Sequence, residues 1–157
     1  MEKKNIDWSN LDFAYMPTDK RYVSNYKDSA WDEGTLTEDS TVHINECACV
    51  LQYAQTVFEG LKAYTTEDGH IVTFRPDLNA ERLENSALRL EIPPFPKDRF
   101  IDAVTQVVSA NAAYVPPYGS GASLYLRPYI FGSNAVIGVK PADEYQFRLF
   151  CTPVGPY

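Results

Sequence analysis

The chain has 157 residues, 45% of them hydrophobic and 22% charged, enough apolar side chain to bury one core of its own. Its formal net charge of −7 argues against nucleic acid as a partner, because phosphate binding needs a basic footprint. No apolar run approaches the length of a membrane span, and the polar residues 1–10 lack a signal-peptide core, so no membrane partner is expected and the cytoplasm is the expected compartment. The three cysteines suit it, since an odd number without a framework does not suggest disulfides.

Residues 1–17 read as an irregular arm, with Trp8, Leu11, Phe13 and Tyr15 as anchors that lie along a surface. Residues 21–27 predict a strand, Asp28-Ser29 a turn, and Trp31 the start of a second short strand; residues 35–45 continue in the same style, with Val42 and Ile44 alternating against His43. Cys47 and Cys49 form a C-x-C pair with only His43 as another soft ligand nearby, so they are expected as buried or partly buried free thiols and not as a metal site. Val50, Tyr53, Ala54 and Val57 recur at helical spacing, which predicts a short helix within 47–58, ended by Gly60.

Residues 61–65 and 70–74 flank Thr66-Glu67-Asp68-Gly69, a hairpin pattern. Pro76 and Asp77 suit a helix start, and Ala80, Leu83, Ala87 and Leu90 mark the buried stripe of that helix. After the break at Pro93, Pro94 and Pro96, a second helix is expected over 97–114, with Phe100, Val104, Val107, Asn111 and Tyr114 on one stripe and Ile101 and Val108 widening it. Residues 121–132 then predict a strand with two unlike faces. Ala122, Leu124, Leu126 and Ile130 lie on one; Ser123, Tyr125, Arg127, Tyr129 and Phe131 lie on the other. Tyr125 and Arg127 stand about 6.6 Å apart along such a strand. A phenol and a planar guanidinium fork aimed the same way make a carboxylate receiver, although the pattern alone also fits an amphipathic strand with a solvated arginine. Residues 134–141 form a loop with Ile137 and Val139 at its tip, and a last strand covers 145–151. Hairpins mixed with two or three helices imply an α+β domain, a two-layer fold with a largely antiparallel sheet covered by those helices. There are no repeats or low-complexity segments.

Three motifs come in order: Val57-Phe58-Glu59-Gly60-Leu61-Lys62-Ala63-Tyr64, then Phe74-Arg75-Pro76-Asp77, then Ser123-Leu124-Tyr125-Leu126-Arg127-Pro128. Together they resemble the branched-chain amino acid aminotransferases, pyridoxal-phosphate enzymes of fold type IV. Ile137-Gly138-Val139-Lys140-Pro141 and Pro153-Val154-Gly155-Pro156-Tyr157 continue the match, which runs from about Leu11 onward. The resemblance implies that residues 1–152 are the small N-terminal domain and 153–157 the start of the interdomain linker, with the large C-terminal domain absent from this chain. The lysine that forms the Schiff base belongs to that large domain in family members. No catalytic residue is therefore expected here, and the chain alone is expected to be inactive.

The resemblance further implies a homodimer that moves amino groups between leucine, isoleucine or valine and 2-oxoglutarate. Arg82 matches the arginine that binds the phosphate of pyridoxal 5'-phosphate; from the helix pattern alone it reads as an ordinary exposed arginine. Tyr125 matches the group that serves the α-carboxylate, and Arg127 the one that serves the side-chain carboxylate of glutamate. Phe58 and Tyr53 match the aromatic wall for the aliphatic side chain, with core packing as the other reading of Phe58. Ile137 and Val139 match a loop that reaches the partner subunit's active site, and Tyr53 also resembles a residue contributed across the dimer. Where family members often carry His-Tyr-Gly, this chain has Gln52-Tyr53-Ala54, which puts the local packing in question. Two alternatives remain open at this level. One is another fold type IV enzyme, a D-amino acid aminotransferase or aminodeoxychorismate lyase; the other is a free-standing, non-catalytic binding domain.

Overall fold

The alternation in the strand near residue 125 dictates the architecture, because its two faces need different surroundings. In a computed structural model describing residues 1–157, that strand is central in an eight-stranded sheet in which every pair is antiparallel. The strands are β1 (Arg21–Lys27), β2 (Ala30–Trp31), β3 (Thr35–Thr37), β4 (Thr56–Phe58), β5 (Leu61–Thr65), β6 (Ile71–Thr73), β7 (Ser123–Gly132) and β8 (Tyr145–Val154). Their order is β2-β1-β8-β7-β5-β6, with β3 pairing β1 and β4 pairing β7. Three helices, α1 (Cys49–Tyr53), α2 (Pro76–Arg89) and α3 (Lys97–Ala110), complete the α+β fold.

The core lies between one sheet face and the two long helices. Leu124, Leu126 and Ile130 of β7 and Phe147 and Leu149 of β8 meet Leu83 of α2 and Phe100, Val104 and Val107 of α3, all buried. Burying a side chain of this size stabilises by about 1.5–3 kcal/mol. Phe95 stacks on Phe147 with centroids 3.9 Å apart, which fixes the linker between α2 and α3 against the sheet. Asn111 lies on the expected stripe and is buried because all its bonds are met. Its Oδ1 accepts from the backbone N–H of Asp19 and Lys20, and its Nδ2 donates to the carbonyls of Lys20 and Val107.

Four local expectations change. The region 47–58 contains only a five-residue helix; Ala54 takes a left-handed conformation (φ 53°) and ends it, and the β-branched Thr56-Val57 pair enters the sheet as β4 against Phe131 and Ile130. Residues 38–45 form no strand, since only Thr35–Thr37 finds a partner, on β1. The second long helix stops at Ala110 and gives way to a 3-10 turn, Ala112–Tyr114. β8 continues past Cys151 to Val154, because Pro153 and Val154 pair with Leu124 and Ser123. The hairpin appears as expected, with Gly69 at φ 86° in its turn.

The other face of the sheet carries no helix. It presents Tyr125, Arg127 and Tyr129 from β7, Arg148, Phe150 and Thr152 from β8, and Arg21 from β1. The N-terminal arm crosses this face. Phe13 packs edge-on against Tyr125 at 5.0 Å, Tyr15 against Phe150 at 6.0 Å, and the backbone N–H of Met16 donates to the Thr152 hydroxyl.

Candidate active site

Tyr125 and Arg127 point from β7 to the open face and touch each other. The Arg127 Nε and Nη2 donate to the Tyr125 oxygen at 3.1 and 3.0 Å. With its oxygen accepting two N–H groups, the phenol keeps its own proton to donate outward. The pairing of β4 with β7 sets Phe58 opposite Tyr129, so its ring reaches the neighbouring Arg127, whose guanidinium carbon lies 4.4 Å from the ring centroid. A weakly hydrated guanidinium suits an aromatic face. Phe58 is 61% exposed and so is no core residue; it offers an apolar surface beside a charge. Phe13, Tyr125, Arg127 and Phe150 line a cavity of about 150 Å³.

The turn between β4 and β5 joins this cluster to α2. The Glu59 N–H is bonded to the Pro128 carbonyl at 2.8 Å, which turns its side chain inward toward α2. There its two carboxylate oxygens accept from Arg82 Nε at 2.6 Å and Nη2 at 2.7 Å, and Asn79 Nδ2 donates to it at 3.0 Å. The hydrogen bonds and charge of Glu59 raise the Arg82 pKa. The Glu59 side chain is 2% exposed and that of Arg82 68%, so the arginine leans from the edge of α2 with its remaining donors toward solvent. Gly60 has no room for a side chain: a Cβ there would fall 2.6 Å from the Tyr125 oxygen. Gly60, Lys62, Tyr64, Phe74, Asn79 and Tyr125 line a further cavity of about 290 Å³ between the phenol and α2.

Of the seven residues singled out from the sequence, Phe58, Tyr125 and Arg127 form one cluster, and Arg82 is tied to it through Glu59. Tyr53, Ile137 and Val139 form a second group. The Tyr53 hydroxyl donates to the Ile137 carbonyl, Tyr53 and Val139 line a separate cavity of about 400 Å³, and Ile137 and Val139 are almost fully exposed. Within this single chain the second group does not line the cavities of Tyr125. Sequence reasoning missed Glu59 and Phe13 as members of the site. Glu59 sits inside the F-E-G motif and Phe13 among the arm's anchors, but their partners come from α2 and β7, too far along the chain for local pattern to show.

One sheet face under two helices, with a phenol–guanidinium pair on the bare face, defines a class: the small domain of fold type IV aminotransferases. A crystal structure of the Escherichia coli branched-chain amino acid aminotransferase matches with a TM-score of 0.67 and 26% identity, over 89% of this chain and 41% of that one. A second branched-chain amino acid aminotransferase, solved with pyridoxamine 5'-phosphate, shares the fold with a TM-score of 0.71 and 23% identity, over 91% of this chain and 42% of that one. No family model matches the chain. Among curated proteins, it is 52% identical over 154 residues to the branched-chain-amino-acid aminotransferase of Haemophilus influenzae and 46% identical to that of Helicobacter pylori, each over 98% of this chain and 45% of the relative. A methionine aminotransferase of Arabidopsis thaliana is 44% identical over 98% of the chain and 43% of its own length. Nearly the whole chain is thus similar to branched-chain aminotransferases, and it spans less than half the length of these relatives.

Proposed function

We propose that this chain is the N-terminal domain of a cytoplasmic, homodimeric branched-chain aminotransferase, which moves an amino group between leucine, isoleucine or valine and 2-oxoglutarate. Its small domain extends past the boundary expected at residue 152 to the end of β8 at Val154, where Pro153 and Val154 still pair with β7, and residues 155–157 begin the linker to the large domain. The observation that carries the reading is the contact of Arg127 with both Tyr125 and Phe58: one pocket must accept an aliphatic side chain and an acidic one, and here a charged fork lies on an apolar ring.

Tyr125 orients the α-carboxylate by donating its free proton. Arg127 receives the second carboxylate of glutamate, and Phe58 packs on the aliphatic chain when leucine is bound; Tyr53, which sits with Ile137 and Val139 away from Phe58 in this chain, completes that wall from across the dimer. Ile137 and Val139 extend toward the partner subunit's site. The donor set also fits pyridoxal phosphate. Glu59 engages two of the five guanidinium N–H groups of Arg82, which leaves three on the exposed side to hold a phosphate. When bound, that cofactor supplies the electron sink for the reaction. The buried Glu59 holds Arg82 in place for it, and the Gly60 gap lets Tyr125 stand beside it.

The test is Arg127→Ala in the full-length enzyme. A hydrogen bond to a charged group is worth about 1.5–3 kcal/mol, so kcat/KM for glutamate should fall roughly tenfold or more while that for leucine falls much less. Equal losses for both amino acids would assign Arg127 to structure or to the α-carboxylate. The methionine aminotransferase among the relatives makes methionine a useful addition to the substrate panel.

A further inference from the structure

Two arginines on the bare sheet face are buried without a carboxylate. Arg148 of β8 stands between Val23 of β1 and Tyr129 of β7 in register, and Arg21 opens β1. They are 7% and 4% exposed. Neither belongs to any of the nine ion pairs of the fold. Their donors meet only neutral acceptors: Arg21 Nη2 the Thr18 carbonyl at 2.9 Å and Nη1 the Glu38 carbonyl, Arg148 Nη1 the Gln146 side-chain oxygen at 3.0 Å and Nη2 the Asp39 carbonyl at 3.4 Å. Burying a charge without a counter-charge is expensive, and burying two in the wall of one cavity is more so.

That cavity holds about 330 Å³. Ser40 and Tyr129 add hydroxyls to its lining, Tyr15 and Phe150 add rings, and no acidic side chain reaches it. In a chain of net charge −7 this is a local concentration of positive charge, with low-dielectric aromatic walls that focus its field. Guanidinium forks match planar oxyanions. The cavity is much larger than a bare inorganic anion needs, and its two rings call for a hydrocarbon body next to the charged group.

We propose that this cavity is a binding site for a small organic carboxylate. Arg21 and Arg148 neutralise the carboxylate, Tyr129 and Ser40 donate to it, and Tyr15 and Phe150 cover its carbon skeleton. The site is distinct from the Tyr125–Arg127 receiver, although Tyr15 and Phe150 stand between the two cavities and contribute to both.

The experiment is calorimetric titration of the full-length protein with benzoate and, separately, with inorganic phosphate. Benzoate should bind saturably at one site per chain and more tightly than phosphate. Arg148→Gln should weaken benzoate at least tenfold, and Arg127→Ala should leave it unchanged within about twofold. Tyr129→Phe and Ser40→Ala, which remove only hydroxyls, should each weaken it severalfold with an unaltered melting temperature, so the proposal stays testable if Arg148→Gln does not fold. Equal loss in Arg127→Ala would place benzoate in the substrate receiver and overturn the proposal. Phosphate binding as tightly as benzoate would reduce the cavity to an unselective anion patch and overturn it as well. Absence of benzoate binding, with Arg148→Gln altering the oligomeric state by sedimentation, would mean that a protein carboxylate fills the cavity, and the proposal would fail.

Discussion

Glu59 and Arg82 form the one ion pair of this fold whose carboxylate is buried: the Glu59 side chain is 2% exposed, whereas every other paired acid is at least 29% exposed. The pair ties the turn after β4 to α2 and so links the proposed phosphate anchor to the proposed substrate receiver. Arg82→Ala leaves that carboxylate with Asn79 as its side-chain donor, and an unsatisfied buried acceptor costs about 1–3 kcal/mol, toward the lower end here because solvent reaches the arginine side. Urea denaturation should show this loss for Arg82→Ala. The double variant with Glu59→Gln should lose less than the sum of the two single changes. In the full-length enzyme, Arg82→Ala should also release pyridoxal phosphate on dialysis, with activity restored by excess cofactor. Unchanged retention would return Arg82 to a purely structural role.

Gly60→Ala tests the close approach of Tyr125. The added Cβ would lie 2.6 Å from the phenol oxygen and 3.1 Å from its ring, so the ring must move. The expected cost is about 1–3 kcal/mol by denaturation, together with weakened substrate binding because the Tyr125–Arg127 contact is displaced. A variant with wild-type stability and substrate affinity would show that the ring has room to yield.

Ala54 holds a left-handed conformation at φ 53°, which costs a residue with a Cβ roughly 1–2 kcal/mol. Glycine removes that cost but adds freedom to the unfolded chain worth about 0.4–1 kcal/mol. Ala54→Gly should therefore stabilise by up to about 1.5 kcal/mol, read as a melting temperature a few degrees higher. A lower melting temperature would mean that the alanine methyl packs usefully where glycine cannot.

Burial pushes the Cys151 thiol up to about 11 from 9.0. The folded protein should keep this thiol protonated and unreactive toward Ellman's reagent at pH 8, while the half-buried Cys47 reacts. With the folded value above the unfolded one, the contribution to stability is fully present below about pH 9 and is lost as pH rises toward about 11. Cys151→Ala should flatten that part of the stability profile. Rapid native labelling of Cys151 at pH 8 would contradict its burial.

What the sequence by itself determined are the features with a short period or a local chemistry. The two faces of β7 follow from alternation at Leu124, Leu126 and Ile130 against Tyr125, Arg127 and Tyr129. The stripes of α2 (Ala80, Leu83, Ala87) and α3 follow from 3.6-residue spacing, except that Leu90, expected on the first, lies past the end of α2 at Arg89 and is exposed; the hairpin follows from Asp68-Gly69. The ordered motifs around Phe58, Pro76 and Arg127 were enough for the family. The tertiary structure alone decided the rest, because it depends on which partner a segment finds. Val57 has helical spacing to Tyr53, yet β7 offers it a strand partner and Ala54 turns the chain toward it. Residues 38–45 alternate like a strand but pair with no strand of the sheet. Glu59 gains its role only when α2 brings Arg82 beside it, and Arg21 and Arg148, 127 positions apart, share a cavity only because β1 and β8 are neighbours. Local periods are written within a few residues of one another, whereas charge pairing and burial are set by contacts between strands and helices distant in the chain.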